Sequence, residues 1–288
     1  SRGTVLWNEH VARLIRILLG TYWTEAKQAK AGFTSSGDNG FIMGRLLRPL
    51  SFLVTPLFIR SGASANQITL LAGTTGVAAL ICVSIGTTVA WAIGAGLFLV
   101  YVLFDAVDGN VARVRNSASY LGKFLDGVVD TFVIAPVVLV LGWGSYQSGS
   151  DPVWLAIGAV TAFLHLFGFY TMTRYSFHRE WLKIDAMEGR ASVDSTTFAT
   201  PTHRLRIPGG LILDVTIVAL FASIYPAARE ASLAVLAALI LTWGTLTIRA
   251  EFLAAVATLN TWRQSRHATG YGVEQKAIAC DDTGQVST

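Results

Sequence analysis

The chain has 288 residues, of which 52% are hydrophobic and 14% charged, with a formal net charge of +4. A soluble domain carries about 25% charged residues, so a soluble globular enzyme is excluded and a polytopic membrane protein is expected, in keeping with a mean hydropathy of +0.51. The pI of about 9.2 raises nucleic acid as a partner only until the positions of the basic residues are considered.

Along the chain, residues 5–30 carry an amphipathic pattern, with Val11, Leu14, Ile15 and Leu18 on one stripe and Arg13 and Arg16 off it. That pattern suits a helix lying on the bilayer or on the protein's own surface. Residues 31–40 are loop-like by composition. Residues 41–61 form a basic and apolar segment in which Pro49 and Pro56 forbid one long straight span, and a broken or kinked juxtamembrane helix is expected. The start, Ser1-Arg2-Gly3, has no initiator Met, so a processed or engineered beginning is expected, and no signal peptide is visible.

From Ser61 to Phe104 no residue is charged, which is too long for one span of about 20 residues and right for two. A tight outer turn is placed at Ser84–Thr88, with Asn66 and Thr69 expected to cap the first span. Gly73, Gly76, Gly94 and Gly96 are expected to allow close helix approach. The uncharged segments give six spans at roughly 66–86, 89–113, 119–144, 152–174, 207–226 and 230–256, and 264–288 is expected to be a mobile tail. With both termini cytoplasmic, Arg229 alone among the 22 Lys and Arg residues falls outside. This is the positive-inside pattern; the basicity is topological, and no nucleic-acid partner is expected. Cys82 reads as a small core residue and Cys280 lies in the polar tail, so no disulfide framework is expected.

The chemistry concentrates in one string, Asp105-x2-Asp108-Gly109-x2-Ala112-Arg113-x8-Gly122-x3-Asp126-x3-Asp130. A carboxylate at a helix centre in a membrane costs about 2.5–3.5 kcal/mol, so four at helical spacing need a use. Asp105 and Asp108 share one helix face, while Gly122, Asp126 and Asp130 form a stripe at i, i+4, i+8 on the next. The turn between them is short, so the stripes can face each other. Converging carboxylates repel unless cations neutralise them, and oxygen ligands favour Mg²⁺ or Mn²⁺. Gly109, Ala112 and Gly122 leave room for a bulky group, and Arg113 offers a positive fork for phosphate oxygens. The bland alternative pairs these aspartates with Arg113, Arg115 and Lys123 as a charge belt.

This string resembles the motif of the CDP-alcohol phosphatidyltransferases, D-x2-D-G-x2-A-R-x8/9-G-x3-D-x3-D, at every specified position. Six spans after a juxtamembrane helix also fit that family, over about residues 41–258. The resemblance implies an all-α integral membrane enzyme that displaces CMP from a CDP-linked donor with an acceptor hydroxyl. It implies metal ligands at Asp105, Asp108 and Asp126, with Asp130 as a further ligand and the general base. It implies a CDP site formed by Asp108, Gly109, Ala112, Arg113 and Gly122, and a homodimeric assembly. The expected organisation is an N-terminal extension at 1–40, a juxtamembrane helix at 41–61, a six-helix membrane domain at 62–258 and a cytoplasmic tail at 259–288.

The favoured donor is CDP-diacylglycerol, with two Mg²⁺ or Mn²⁺ ions, a polyol or polyol phosphate acceptor, and a bacterial cell membrane as the setting. A CDP-choline or CDP-ethanolamine transferase acting on a lipid hydroxyl is the alternative within the class; a cation-coupled transporter is the alternative outside it. A non-catalytic scaffold is disfavoured by the four intact aspartates. Intramembrane His165 and Asp214, and Arg249 and Glu251 near the inner end of the last span, are candidates for the acceptor pocket. The bland readings are a core histidine for His165 and an Arg249 partner for Asp214. The basic 174–206 connection, including Arg174, His178, Arg179, Lys183, Arg190, His203, Arg204 and Arg206, is expected to be a loop that meets anionic headgroups or a phosphorylated acceptor.

Overall fold

The structure is a computed structural model and describes residues 20–33, 40–187 and 209–268. These residues are helical throughout, with no strand among them. Helix α1 covers residues 20–31. A π-helical turn, Met43–Leu47, leads without a break into α2, Arg48–Ser61. Then follow α3 (Ala65–Ser84), α4 (Thr88–Val114), α5 (Tyr120–Ile134) and α6 (Val137–Gln147). The chain continues through α7 (Val153–Met187), α8 (Gly209–Ala222) and α9 (Arg229–Ala268).

Among the described residues, five helical stretches are long and apolar enough to cross a membrane: Ala65–Ser84, Thr88–Val114, Tyr120–Gln147, Val153–His178 and Pro226–Ala257. The expected span at 207–226 corresponds to α8, whose 14 described residues reach about 21 Å, short of the ~30 Å hydrocarbon core. Large apolar side chains such as Ile81, Ile93, Phe132 and Phe163 are exposed on these helices. In water so much exposed apolar surface would be a liability, whereas lipid accepts it.

Other boundaries move for identifiable reasons. The expected third span divides at Ala135–Pro136 into α5 and α6, because Pro136 has no N–H to continue the ladder and stands instead as the N-cap of α6. The expected loop at 174–206 is helical as far as Met187, and α9 extends to Ala268, past the expected start of the tail. Charge marks where lipid ends, not where a helix ends. The rest of that connection, the stripe at Val11–Leu18 and Cys280 lie outside the described residues.

Caps and glycines explain how the first helices fit. Ser64 opens α3 with a capping box, its hydroxyl accepting from the Gln67 N–H while the Gln67 side chain accepts from the Ser64 N–H. Thr87 and Ser119 cap α4 and α5. Pro49 and Pro56 both lie within the continuous helical run that ends at Ser61. Gly86, at φ 83°, makes the turn between α3 and α4.

A Cβ on Gly76 would stand 2.7 Å from the Val133 methyls, and one on Gly94 would stand 2.6 Å from Val83. These glycines let α3 approach α5 and α4 closely, whereas Gly96 faces open space and has no such role. Cys82 is half-buried.

Two compact units are distinguished. The first holds the described residues up to 166 together with 209–243; its buried residues include Ile68, Trp91, Phe98, Tyr101, Val107 and Ile240. The second holds the described residues of 167–206 and 244–288. Within it, Arg174 lies over the Phe177 ring at 5.7 Å, and Lys183 pairs with Glu180 one turn earlier on α7.

Candidate active site

The four aspartates lie on α4 and α5, the helices joined by the turn at Arg115–Ser119. Asn116 takes the left-handed conformation there, φ 51°, and the Ser117 N–H returns to the Ala112 carbonyl at 2.9 Å. This closes α4 and reverses the chain within a few residues. Arg115 donates to the carbonyls of Ala63 (2.5 Å) and Ile59 (2.8 Å), tying the end of α4 to the turn between α2 and α3.

Asp105, Asp108 and Asp126 each offer a carboxylate oxygen, and the three oxygens lie within 4.8 Å of one another. Asp130, one turn further along α5, accepts a 2.6 Å hydrogen bond from the buried Tyr101 hydroxyl. Asp108 accepts at 2.5 Å from Thr69 of α3. Among the described residues no Lys or Arg forms an ion pair with any of the four. The charge-belt alternative therefore has no ion pair behind it. The three clustered carboxylates fit hard divalent metal ions: oxygen donors of the right type, close together, whose mutual repulsion no ion pair among the described residues relieves.

A cleft opens beside this cluster. Asp108, Gly109, Ala112, Arg113, Gly122 and Asp126 all line it, together with Asn66, Thr69, Ser119 and Lys123. A Cβ on Gly122 would lie 3.1 Å from Asn66 Oδ1, and one on Gly109 would lie 3.3 Å from the Arg113 guanidinium. Both glycines thus make space for polar side chains that face the cleft. Arg113 is steered by Asn110, whose Oδ1 accepts from it at 2.7 Å. Asn110 is held in turn by donating to Ser51 and Thr55 of α2, at 3.0 and 3.1 Å.

Tyr101 and Asn110 are not singled out by the sequence, Lys123 lines the cleft where a charge-belt partner was expected, and Asn66 and Thr69 face the cleft while Ser64 performs the capping expected of them. One signal was available: Tyr101 falls at i−4 from Asp105 and therefore on the aspartate face.

The other intramembrane candidates lie elsewhere. His165 is buried edge-on to Trp243 at 5.3 Å, as a core histidine would be. The Asp214 carboxylate accepts from the backbone N–H groups of Ile42 (3.1 Å) and Met43 (3.3 Å), capping the π-helical turn. Gly40 must lack a side chain there, because a Cβ would run into Asp214 and the Gly210 carbonyl. Arg249 and Glu251 belong to the second unit.

A profile of the CDP-alcohol phosphatidyltransferase family matches residues 63–248, and the chain belongs to this family of enzymes. Over 144 residues it is 27% identical to the bifunctional IPC transferase and DIPP synthase of Thermococcus kodakarensis, a match covering 50% of this chain and 30% of that protein. The chain therefore matches under a third of that relative's length. Among solved structures, it resembles the phosphatidylinositol phosphate synthase of Mycobacterium tuberculosis in complex with manganese and citrate, with 17% identity and a TM-score of 0.50 over 72% of this chain and 89% of that one. The same synthase with CDP-DAG bound aligns with 19% identity and a TM-score of 0.49 over 78% and 97%.

Proposed function

We propose that this protein transfers a phosphatidyl group from CDP-diacylglycerol to the hydroxyl of a polyol or polyol phosphate, releasing CMP. The observation that carries this reading is the adjacency of the Asp105–Asp108–Asp126 cluster to the cleft lined by Gly109, Ala112, Arg113 and Gly122. A diphosphate donor needs its charge neutralised beside a carboxylate able to take a proton.

Asp105, Asp108 and Asp126 would hold Mg²⁺ or Mn²⁺, with Asp130 as a further ligand, and two ions match the number of carboxylates. Bound metal supplies charge neutralisation for the diphosphate oxygens. Asp108 is oriented by Thr69, and Arg113, steered by Asn110, directs its fork at phosphate. Gly109, Ala112 and Gly122 admit the nucleotide. Asp130, held by Tyr101, accepts the proton of the acceptor hydroxyl. The acceptor oxygen then forms its bond to the donor phosphorus as the bond to CMP breaks, and CMP leaves with the electron pair.

The distribution of Lys and Arg supports a site and termini on the cytoplasmic side, the family resemblance suggests a homodimer, and the excess of Arg (17) over Lys (5) is the compositional ground for a bacterial cell membrane. The organisation read from sequence, with an extension to residue 40, a juxtamembrane segment at 41–61, a membrane domain to 258 and a tail beyond, is part of the same proposal.

The test is incubation of the purified protein with CDP-diacylglycerol, Mg²⁺ and a panel of polyols and polyol phosphates, following CMP and lipid products. CMP release with one acceptor is expected. Product only from CDP-choline or CDP-ethanolamine with diacylglycerol would shift the assignment to the amino-alcohol class. Ion flux in proteoliposomes without CMP release would shift it to a transporter.

A further inference from the structure

Two guanidinium groups lie beside the aspartate cluster, Arg48 within reach of the Asp105 charge and Arg113 within reach of that of Asp108. Arg48 opens α2 and Arg113 ends α4, and the Phe33 ring contacts both: the Arg48 Cζ lies 4.5 Å and the Arg113 Cζ 5.7 Å from its centroid. Neither arginine has an ion-pair partner among the described residues. The Nε atoms of both are buried without a hydrogen-bond partner, and the Arg48 guanidinium makes no hydrogen bond among the described residues.

Placing two cations together is unfavourable. Burial and the neighbouring Arg113 charge both lower the Arg48 pKa from its ordinary value, and Asp105 offsets this only in part. The protein nevertheless holds the pair in place. Asn110 accepts from Arg113 while donating to Ser51 and Thr55, the residues one and two turns beyond Arg48 on α2. Phe33 supports both guanidinium groups by cation–π contact, which consumes none of their N–H donors. A guanidinium pair suits the tetrahedral oxygens of a phosphate, which accept bidentate, charge-assisted hydrogen bonds. Phe33 and Arg48 both precede the family-matched segment 63–248, so the recognised motif does not include them.

We infer that Arg48 and Arg113, supported by Phe33, form a phosphate-binding subsite next to the carboxylate cluster. The inference rests on the proposed transferase reading only for the identity of the phosphate, which is either the donor's diphosphate or the phosphate of a phosphorylated acceptor. Both present the same chemistry.

The experiment measures equilibrium binding to the full chain in lipid nanodiscs with Mg²⁺ present, and so needs no turnover. The probes are CDP against cytidine, and glycerol 3-phosphate and inositol phosphate against glycerol and inositol. Arg48→Gln is expected to weaken binding of the phosphate-bearing probe about tenfold or more while leaving its phosphate-free counterpart within about twofold. Loss confined to CDP assigns the subsite to the donor, and loss confined to the polyol phosphates assigns it to the acceptor. Arg48→Lys, which keeps charge but not the fork, should fall between wild type and Arg48→Gln, and it decides the matter if Arg48→Gln fails to fold.

Phosphate binding by the Arg48 variants equal to wild type would overturn the subsite, as would a wild-type protein that binds none of the phosphates. Absence of CMP release from CDP-diacylglycerol with every acceptor is a separate outcome: it overturns the proposed function while the binding measurements still decide the subsite.

Discussion

The Tyr101 hydroxyl donates a 2.6 Å hydrogen bond to Asp130, the only one of the four aspartates outside the three-carboxylate cluster. Tyr101 is 1% exposed, so this bond joins a buried donor to the carboxylate proposed as the base. A hydrogen bond to a charged group contributes about 1.5–3 kcal/mol, and this one also fixes the rotamer of Asp130. Tyr101→Phe is therefore expected to lower stability by about 1–2 kcal/mol and to reduce the rate of CMP release about tenfold, with the KM for the CDP donor little changed. Thermal unfolding and steady-state kinetics on the same preparation measure both. An unchanged rate would show that Asp130 needs no orientation by Tyr101.

The aspartate string was legible because helical spacing alone puts its carboxylates on shared faces. The pairings that orient those carboxylates were not legible. Thr69 reaches Asp108 only because α3 and α4 pack closely, and Asp214 reaches Ile42 across 172 residues of sequence. Local spacing carries no information about such partners. Hydropathy located the spans, and their expected ends at 174 and 256 fall near those of the apolar stretches at His178 and Ala257. It does not report that α7 and α9 run on beyond them, because a helix outlasts the lipid around it.

The clustered carboxylates predict opposite responses to metal and to charge removal. Without divalent ions, Asp105, Asp108 and Asp126 repel one another, so in EDTA the Asp126→Asn protein should be as stable as wild type or more stable. Adding Mn²⁺ should raise the melting temperature of wild type, since a ligand that binds only the folded state stabilises it, and should raise that of the variant little. Equal metal-induced shifts in both proteins would remove Asp126 from the ligand set.

Gly109 tests the cleft from its wall. A Cβ there would meet the Arg113 guanidinium at 3.3 Å, the far end of a flexible side chain, so Gly109→Ala should fold normally. Alanine in place of glycine within α4 even favours the helix by about 0.5–1 kcal/mol. Displacing Arg113 should instead raise the KM for the CDP donor, by about tenfold if one charge-assisted contact is lost. A stable variant with unaltered donor KM would argue that Arg113 does not meet the donor.

Asp214 is expected to act on stability through a cap. Its carboxylate serves the first N–H groups of the segment that runs into α2, and loss of such a cap costs about 0.5–2 kcal/mol. Asp214→Ala should show that loss in thermal melts, while Asp214→Asn, which keeps one acceptor oxygen, should lose less. If the two variants melt alike, hydrogen bonding to Ile42 and Met43 is not what Asp214 contributes.

Arg229 provides the control at the opposite end of α4. Its buried guanidinium lies over Trp91 and donates to the Ser223 carbonyl, the Gly86 carbonyl and Ser148 Oγ. It thereby joins the turn between α3 and α4 to the ends of α6 and α8. Trp91 and Asp105 are 14 positions apart on α4, about 21 Å along a helix, so Arg229 cannot touch the reacting groups. Arg229→Gln should therefore cost about 2–4 kcal/mol of stability through its lost charge-assisted hydrogen bonds. Below its melting temperature, the KM for the donor and the rate of CMP release should stay within about twofold of wild type. A loss of activity in a protein that is still folded would mean that the outer helix ends are coupled to the aspartates along α4.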